Sequence, residues 1–401
     1  MSDAAEQGRQ KTDMMRFVKA NIRDYALLLS LIAIMVFFQF TTNGTLFRPV
    51  NMTNIILQNS YIVIMALGML LVIVAGHIDL SVGSVSGFIG AVAAVLMVQM
   101  KFDPFTSVAL CLALGAVIGG AQGFFVAYYK IPAFIVTLAG MLIFKGLALT
   151  VLGGASVGPF PKVFQLLSSG YVPDIFSFTM GGKEFNLLAL IIGGLVTGLI
   201  LWGNFRERRN QHEHGLAEEP DIIFHARNVL IAVGVMGFSY LMASYKGLPN
   251  VLIVMFLLIA LFIFLTTRTT FGRRIYAMGG NQKAAKLSGI DTERLTLMTF
   301  AIMGALAALA GLIFAARLNV ATPKAGLGFE LDVIAAVFIG GAATTGGVGK
   351  VTGAVIGAFI MGVMNNGMSI MGIGIDWQQV IKGVVLMIAV FLDVYYKQKQ
   401  S

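Results

Sequence analysis

Runs of roughly twenty apolar residues recur along the whole chain, and they restrict its fold more than any other feature. A helix of about 20 apolar residues is long enough to cross the ~30 Å hydrocarbon core of a bilayer. Of the 401 residues, 57% are hydrophobic and 12% are charged, whereas soluble domains carry about 25% charged residues. These properties exclude a soluble globular fold. They predict an all-α, polytopic helical membrane protein.

Twelve apolar segments can be delimited in the sequence. They are 25–41, 54–76, 84–100, 106–129, 133–152, 186–203, 228–245, 250–267, 297–315, 331–343, 351–371 and 377–393. We expect an even number of spans, between about ten and twelve, with two or three of the segments being half-helices or re-entrant pieces. The 47 glycines agree with this fold class, because small residues let membrane helices pack closely.

The distribution of positive charge predicts the orientation in the membrane. If the N-terminus is cytoplasmic, nineteen of the 28 Lys and Arg residues lie in cytoplasmic segments and seven lie outside, while Lys145 and Lys382 lie within spans. This positive-inside bias predicts that both termini are cytoplasmic. It assigns a tail to 1–24, a transmembrane domain to 25–393 and a second tail to 394–401. The net charge of +9 is therefore not read as affinity for nucleic acid.

Three connections between the apolar segments are long. Residues 153–185, rich in Gly, Ser and Pro, are expected to form an irregular lobe on the periplasmic side. Residues 204–227 are densely charged and are expected to form a cytoplasmic loop. Residues 268–296 are expected to form another cytoplasmic loop, which contains a helix-sized insert.

The insert in 268–296 has the features of a docking helix for a cytoplasmic partner. Asn281 can cap it by accepting from a free amide of its first turn, and Gly289 can end it in a left-handed conformation. The residues expected to face the partner share one side of the helix by i, i+3, i+4 spacing, with a second alanine beside them. They are Ala284, Ala285, Leu287 and Ser288. The alternative is an ordinary polar connection between two spans.

Asp79 is an acidic residue among small residues at a break between two apolar segments. A carboxylate at the edge of the hydrocarbon costs energy unless it faces a cavity, a partner or the interface, so Asp79, Ser81 and Gly83 are predicted to belong to a path or gate. Ser81 or Ser84 could cap the following helix, with Asp79 beside its positive end. The alternative is a purely structural role for Asp79 in a short loop.

Two short segments, Val82–Gly87 and Val348–Gly353, share the pattern V-G-x-V-x-G. Each copy follows one apolar segment and opens another. Transporters are often built from duplicated halves whose broken helices meet at the permeation path. The pattern therefore suggests an internal repeat, and a chance match in a chain rich in Gly and Val is the alternative.

The sequence contains no evident catalytic constellation. Gly346–Val351 superficially resembles a phosphate-binding loop, but Thr344 stands where the first Gly of that motif belongs and Val351 follows the lysine. The single cysteine, Cys111, excludes an internal disulfide and a cysteine-based metal site. We therefore expect no catalytic residue, no cofactor and no metal, and any ATP that drives the protein must be hydrolysed by another subunit.

Several motifs occur in combination from residue 54 onward. They are Ala66–Met69 leading to Ile78–Ser84, Ile135–Met141, Phe271–Ala277 running into Gly279–Ile290, Leu331–Gly341 and Gly346–Gly349. In this combination the chain resembles the membrane permease subunits of bacterial ABC importers of monosaccharides, the group that includes ribose, galactose and xylose systems. Its length and its charged segment 204–227 are most similar to the xylose or multiple-monosaccharide branch.

The resemblance implies a non-catalytic subunit of the bacterial inner membrane that forms the translocation path for a sugar. The partners implied are a tandem ATP-binding subunit on the cytoplasmic side, a periplasmic sugar-binding protein and a second copy of the chain in a homodimer. Asn59, Asn365 and Asn366 lie within spans and could hydrogen-bond sugar hydroxyls in such a path, or simply tie helices together.

The main alternative is a secondary transporter driven by an ion gradient. Such a protein needs titratable groups near the membrane midplane, and the candidates are Asp79, Asp332, Lys145 and Lys382. The two lysines could otherwise snorkel to an interface or pair with an acid. A membrane-embedded enzyme, the third class, would need the catalytic constellation that this sequence does not show.

Overall fold

The computed structural model of the chain describes residues 22–173, 177–180, 183–214 and 220–400. In chain order its elements are α1 (Ile22–Thr41), α2 (Pro49–Val74), α3 (Val82–Ala94), α4 (Pro104–Ala127), α5 (Ala133–Leu152), α6 (Lys162–Gln165), β1 (Ser177–Met180), β2 (Lys183–Asn186), α7 (Leu187–Glu213), α8 (Asp221–Ala243), α9 (Asn250–Arg268), α10 (Thr270–Gly280), α11 (Gln282–Leu287), α12 (Thr292–Leu318), α13 (Phe329–Ile339), α14 (Val351–Ile370) and α15 (Ile375–Gln400). A π-helical turn, Val95–Gln99, extends α3. The predicted all-α class is confirmed, with one small hairpin added.

Each of the twelve predicted apolar segments corresponds to a helix. Within the described ranges, nine helices are long and apolar enough to cross a membrane, namely α2, α3 with its π-helical turn, α4, α5, α7, α8, α9, α12 and α14. Ala26–Thr41, within α1, is a shorter apolar helix. α13 has 11 residues, roughly half the length that a bilayer requires. The chain is therefore a polytopic helical membrane protein in which α13 matches the expected half-helices.

α2 is the most deeply buried of the long helices, because 89% of its most apolar window is buried. Ile62, Met65 and Leu67 are completely buried within it. In α5 the corresponding buried share is only 22%. The apolar side chains that α5 leaves exposed are suited to lipid or to another protein rather than to water.

α12 packs against α4 at a contact made by small residues. A Cβ atom on Gly119 would collide with the carbonyl oxygen of Phe300, and one on Gly304 would collide with that of Gly115. Such close backbone approach is typical of packed membrane helices. This pair of helices forms one wall of the region around Asp79.

The chain divides into two compact units. The larger unit comprises Leu27–Leu46, Asn54–Gly170 and Pro249–Ser401, and it contains every residue predicted to belong to the path or to the docking helix. The smaller unit includes Phe47–Thr53 and Tyr171–Leu248, with the hairpin, α7 and α8. Within the smaller unit, the side-chain amide of Asn204 donates to that of Asn228 at 2.7 Å.

The expected irregular lobe at 153–185 has more regular structure than the sequence predicted. It contains α6 and most of an antiparallel hairpin, in which Ser177 lies opposite Asn186. The rings of Phe178 and Phe185 stack across the two strands with their centroids 5.6 Å apart. This aromatic pair stabilises a hairpin that the Gly- and Pro-rich composition of the region concealed.

The connection at 204–227 is largely helical where the structure describes it, and its predicted cytoplasmic location stays a prediction. α7 continues to Glu213, and α8 begins at Asp221 directly after Pro220. Arg209 and Glu213 form an ion pair at 2.9 Å with i, i+4 spacing on α7. Arg and Glu are good helix formers, so the density of charge favoured an extended helix rather than an open loop.

The two predicted tails are described to different extents. Residues 1–21 lie outside the described residues, and α1 begins at Ile22. At the other end, the backbone of α15 remains helical to Gln400. The predicted boundary at residue 394 is therefore not a boundary of secondary structure.

Candidate functional site

The predicted coupling segment, 268–296, folds into two short helices between the long helices α9 and α12. α10 ends at Gly280, and Asn281 caps the start of α11 by accepting from the amide of Ala284 at 3.0 Å. After α11, Gly289 adopts a left-handed conformation with φ +81°. The amide of Ile290 then donates back to the carbonyl of Ala285 at 3.1 Å. Both predicted caps of the insert are confirmed, and they define a short, rigid projection.

The exposed face of α11 differs in one residue from the prediction. Ala284 and Ser288 are exposed, and Leu287 is 89% exposed, which agrees with a shared outer face. Ala285, by contrast, is only 5% exposed. The expectation that Ala285 borders the contact face is wrong, because one residue along a helix rotates the side chain by about 100° and turns it into the protein's own interior.

Glu293 connects α11 to two other parts of the larger unit. Its Oε1 atom lies 2.5 Å from the ammonium of Lys286 on α11 and 2.9 Å from that of Lys130, in the connection between α4 and α5. The side chain of Glu293, in the first turn of α12, is 17% exposed. One carboxylate therefore ties together α11, α12 and the α4–α5 connection.

α10 packs against two glycine-containing connections. A Cβ atom on Gly279 would collide with the carbonyl of Val74 at the end of α2, and the amide of Gly347 donates to that same carbonyl at 2.8 Å. The phenol of Tyr276 donates to the carbonyl of Gly349 at 2.7 Å. Burial raises the pKa of Tyr276 and keeps the phenol protonated as a donor. α10 is thus in direct contact with the end of α2 and with the residues that precede α14.

The aspartate loop, residues 75–81, joins α2 to α3 and buries its carboxylate. Asp79 is 2% exposed. Its Oδ1 accepts from the amide of Ser81 at 2.8 Å and from the hydroxyl of Ser81 at 2.7 Å. Ser81 occupies the N-cap position of α3, but neither it nor Ser84 makes the side-chain cap that was expected. The carboxylate of Asp79 binds the residue at the start of α3 instead.

A glutamine that the sequence did not single out completes the polar group around Asp79. The Ser81 hydroxyl lies 3.0 Å from Oε1 of Gln122 on α4, and Gln122 is 7% exposed. The Nε2 atom of Gln122 has no hydrogen-bond partner among the described residues. Because Ser81 has a single hydroxyl hydrogen, it can donate to only one of its two acceptors at a time. The group can therefore exchange hydrogen bonds without large movement.

Gly83 lies where the starts of two helices touch. A Cβ atom on Gly83 would collide with the carbonyl of Gly326 and with the carboxylate of Glu330, in the first turn of α13. Each of these helices follows an irregular connection, 75–81 before α3 and 319–328 before α13. The contact allows no side chain at Gly83.

The two copies of the suspected repeat stand at different places relative to their helices. α3 begins at Val82, the first residue of its copy, whereas α14 begins at Val351, the fourth residue of the other. Each copy does open a helix, but with a shift of three positions. Duplication of the chain stays a prediction.

The predicted path residues Asn59 and Asn366 lie at the contact between α2 and α14. Asn59 donates to the carbonyl of Ile55 at 2.7 Å, and it lies so close to Gly362 that a Cβ atom there would be crowded. Asn366 approaches Gln58 at 3.5 Å. Both asparagines are buried. The hydrogen bond of Asn366 joins two helices and matches the alternative that such residues tie helices together, whereas that of Asn59 stays within α2.

Asn365 belongs to a polar cluster of α13, α14 and α15. Its Nδ2 donates to Asp332 at 3.1 Å, and the ammonium of Lys382 lies 3.0 Å from the same carboxylate. The side chain of Asp332 is 6% exposed and that of Lys382 is 23% exposed. The expectation that Lys382 could pair with an acid is confirmed.

The comparisons with known proteins cover nearly the whole chain. A family model described as "Branched-chain amino acid transport system / permease component" matches residues 51–390. The xylose transport system permease protein XylH of Haemophilus influenzae is 40% identical over 386 residues, which is 96% of this chain and 100% of that protein. XylH of Escherichia coli strain K12 is 40% identical over 379 residues, 94% of this chain and 93% of that protein.

A ribose system gives a weaker match of similar extent. The ribose import permease protein RbsC of Escherichia coli strain K12 is 33% identical over 379 residues, 94% of this chain and 95% of that protein. No solved structure gives a significant match. A permease family model and two kinds of sugar permease align along most of this multi-span helical chain. The protein therefore belongs to the family of transport-system permease components that this model describes.

Proposed function

We propose that the chain is the membrane-spanning permease subunit of an ATP-binding-cassette importer for a monosaccharide, either xylose or several sugars. The observation that carries this proposal is the 40% identity to a xylose transport system permease along 96% of the chain. In this role the protein forms the translocation path and performs no catalysis, and a separate subunit hydrolyses ATP.

The exposed face of α11 is the proposed contact with the ATP-binding subunit. Leu287 projects into solvent at 89% exposure, between the exposed Ala284 and Ser288. A single large apolar side chain on a rigid, capped projection is a suitable anchor for a pocket on a partner. Asn281 and Gly289 contribute by holding the ends of α11 in place.

Two sets of contacts support a route from this docking face into the membrane-spanning helices. The Glu293 carboxylate joins α11 to the α4–α5 connection through Lys286 and Lys130. α10 contacts the carbonyl of Val74, directly before the aspartate loop. A displacement of α10 and α11 would therefore be passed to the end of α2 and to the residues before α14 by packed backbone contacts.

We place the gate at Asp79, Ser81 and Gly83. A buried carboxylate beside a serine with two acceptors can exchange hydrogen bonds as neighbouring helices move. The start of α13 touches Gly83 directly, so movement of either helix start changes the geometry of both. Asn365 and Asn366 act in this scheme by linking helices, since their described partners lie on other helices. Asn59 donates within its own helix and is packed against Gly362 of α14.

The proposal also includes a set of partners and an orientation. A tandem ATP-binding subunit contacts α11, a periplasmic sugar-binding protein delivers the cargo, and a second copy of the chain completes the path in a homodimer. The protein resides in the bacterial inner membrane with both termini cytoplasmic, as the distribution of Lys and Arg indicates.

Reconstitution in vesicles tests the proposal directly. The permease is combined with the partner ATP-binding subunit and the partner sugar-binding protein, and uptake of labelled xylose, ribose, galactose and glucose is measured with and without ATP. Uptake of at least one sugar that requires ATP and all three proteins is expected. Uptake by the permease alone, driven by a sodium or proton gradient, would establish the secondary transporter instead.

A further inference from the structure

The connection between α12 and α13 lies level with the middle of another span. Tyr61 is the thirteenth of the 26 residues of α2. Its ring contacts that of Phe314, near the end of α12, with the centroids 5.5 Å apart. It also stacks on Phe329, the first residue of α13, at a centroid distance of 4.0 Å. One helix therefore ends and a half-helix begins at mid-depth, an arrangement that is typical of substrate sites in transporters.

The three rings form an aromatic wall that is not fully buried. Phe314 and Phe329 meet edge to face at 5.0 Å, so each ring touches the other two. All three residues are partly exposed, whereas Ile62 and Met65 on the same helix as Tyr61 are completely buried. A sugar ring has apolar C–H faces that can stack on such a wall, which leaves its hydroxyls for polar groups.

Arg317 supplies hydrogen-bond donors beside the aromatic wall. It follows Phe314 by three residues and so shares its face of α12, and it interacts electrostatically with Tyr61. The guanidinium has five N–H donors, yet the described residues provide no hydrogen bond or ion pair to it. The last turn of α12 favours a cation through the helix dipole, but that attraction leaves the donors unused. An arginine within a span is a candidate for a functional site.

An unused acceptor belongs to the neighbouring polar cluster. Asp332 interacts electrostatically with Tyr61 and accepts from Nδ2 of Asn365 at 3.1 Å. The Oδ1 atom of Asn365 is buried and has no hydrogen-bond partner among the described residues. Sugar hydroxyls both donate and accept, so one sugar could satisfy this oxygen and the guanidinium of Arg317. A dissolved anion would satisfy Arg317 alone, and an apolar ligand would satisfy neither group.

We propose that Tyr61, Phe314 and Arg317 form a sugar-contact site at mid-depth of the translocation path, and that Phe329 covers it in this structure. The inference rests on the proposed import function and adds the residues that the cargo touches. Rings stacked at 4.0 Å leave no space between them. A sugar therefore reaches the face of Tyr61 only when the start of α13 carries Phe329 away. The sugar then takes the place of Phe329 on Tyr61 and accepts from Arg317.

Transport by the reconstituted importer tests the contact residues. Tyr61→Leu and Arg317→Met are each combined with the partner ATP-binding subunit and the partner sugar-binding protein, and the number of sugars imported per ATP hydrolysed is measured. Each variant loses one aromatic contact or one charge-assisted hydrogen bond. We expect about tenfold fewer sugars per ATP, the factor that corresponds to about 1.4 kcal/mol, with ATP hydrolysis near that of the wild type. Phe124→Leu, which removes an exposed ring near the end of α4, is the control and should import normally.

Phe329→Ala tests the cover and should have the opposite effect. With the face of Tyr61 uncovered, labelled xylose should leak from loaded vesicles without ATP, which the wild type prevents. A normal ratio of sugars to ATP in Tyr61→Leu and Arg317→Met, or a tight Phe329→Ala, would overturn the inference and leave the import function standing. Equal losses of import and ATP hydrolysis with a lower thermal midpoint would show that the rings only pack the core, which also overturns it. A wild type without ATP-dependent uptake would overturn the proposed function, and this inference with it.

Discussion

The carboxylate of Glu293 lies 2.5 Å from the ammonium of Lys286 across the turn that reverses the chain between α11 and α12. Glu293 also holds Lys130 at 2.9 Å. These lysine side chains are 57% and 62% exposed, for Lys130 and Lys286 respectively. Such pairs contribute little to stability, so the value of this contact lies in fixing the position of α11.

Glu293→Gln should weaken the coupling between ATP hydrolysis and transport while the protein remains folded. The neutral amide removes the attraction to both lysines, and the stability lost should be below about 1 kcal/mol because the lysines are largely exposed. The measurement is the number of sugars imported per ATP hydrolysed in reconstituted vesicles. Glu213→Gln, which breaks the exposed pair with Arg209 on α7, is the control. An unchanged ratio in Glu293→Gln would show that this contact does not transmit movement.

Leu287→Asp should abolish binding of the ATP-binding subunit without affecting the fold. The side chain is 89% exposed, so the change costs the isolated permease little, whereas loss of an apolar anchor typically costs an interface about 2 kcal/mol or more. Co-purification of the two subunits and membrane abundance of the permease are measured together. Lys283→Ala, an exposed change on the same helix, serves as the control and should bind normally.

A substitution of the buried Ala285, next to the exposed contact face of α11, tests whether only the exposed residues of α11 bind the partner. Ala285→Glu places a larger, charged side chain at a position that is 5% exposed. Overpacking alone costs about 1–3 kcal/mol, and the buried charge adds to this. We expect lower abundance or a lower unfolding temperature. A variant that is fully stable but no longer binds the ATP-binding subunit would instead place Ala285 at the interface.

Asp79→Asn should reduce sugar uptake while leaving membrane abundance near normal. Asparagine keeps an oxygen that can accept from the Ser81 amide, but it removes the negative charge. Asp79→Ala also loses that acceptor and should cost roughly 0.5–2 kcal/mol in stability, as other capping residues do. Uptake and abundance are measured for both variants. Full uptake in Asp79→Asn, with loss of stability confined to Asp79→Ala, would leave Asp79 a structural cap.

Asp332→Asn should destabilise the contact of α13 with α15. The substitution removes the carboxylate that pairs with the Lys382 ammonium, and the Lys382 side chain is only 23% exposed. An unpaired, partly buried charge costs roughly 1–3 kcal/mol. The thermal midpoint in detergent is the measurement. Adding Lys382→Met to Asp332→Asn should restore much of the loss, because the unpaired charge is then absent. If the double variant is less stable than Asp332→Asn, the pair is not what stabilises this contact.

The topology can be tested with reporter fusions. The excess of Lys and Arg on one side predicts an even number of spans, and hence a cytoplasmic reporter when the fusion follows Tyr396. A reporter placed after Lys246 should be periplasmic and serves as the opposite control. A periplasmic signal after Tyr396 would mean an odd number of crossings.

Hydrophobic runs were sufficient to locate every long helix, because burial in lipid imposes length and composition directly. The caps of α11 could be predicted equally well, because Asn281 and Gly289 end the helix through residues next to them in the sequence. The helical ends of the charged connection after residue 204 were not predicted, because the sequence analysis used only its charge and not the helix propensity of its Arg and Glu residues. In each correct case the relevant physics was local in the chain.

The candidate site needed three-dimensional contacts that spacing does not encode. The sequence did not single out Glu293, whose two lysine partners are separated by more than a hundred positions in the chain. In the sequence, Gln122 is one polar residue among several within spans. Only the structure shows that it lies beside Ser81. Residues 284 and 285 are both alanines, and only the packing of α11 decides which of Ala284 and Ala285 faces solvent.

The close contact of Gly83 with Gly326 limits how the starts of α3 and α13 can move relative to each other. The backbone of Gly326 and the carboxylate of Glu330 both pack directly against Gly83, so neither helix start can shift toward the other without a collision. The helix starts of α3 and α13 must either travel as one rigid block or separate completely. In the proposed transport cycle we therefore expect this junction to open abruptly, with no stable half-open intermediate.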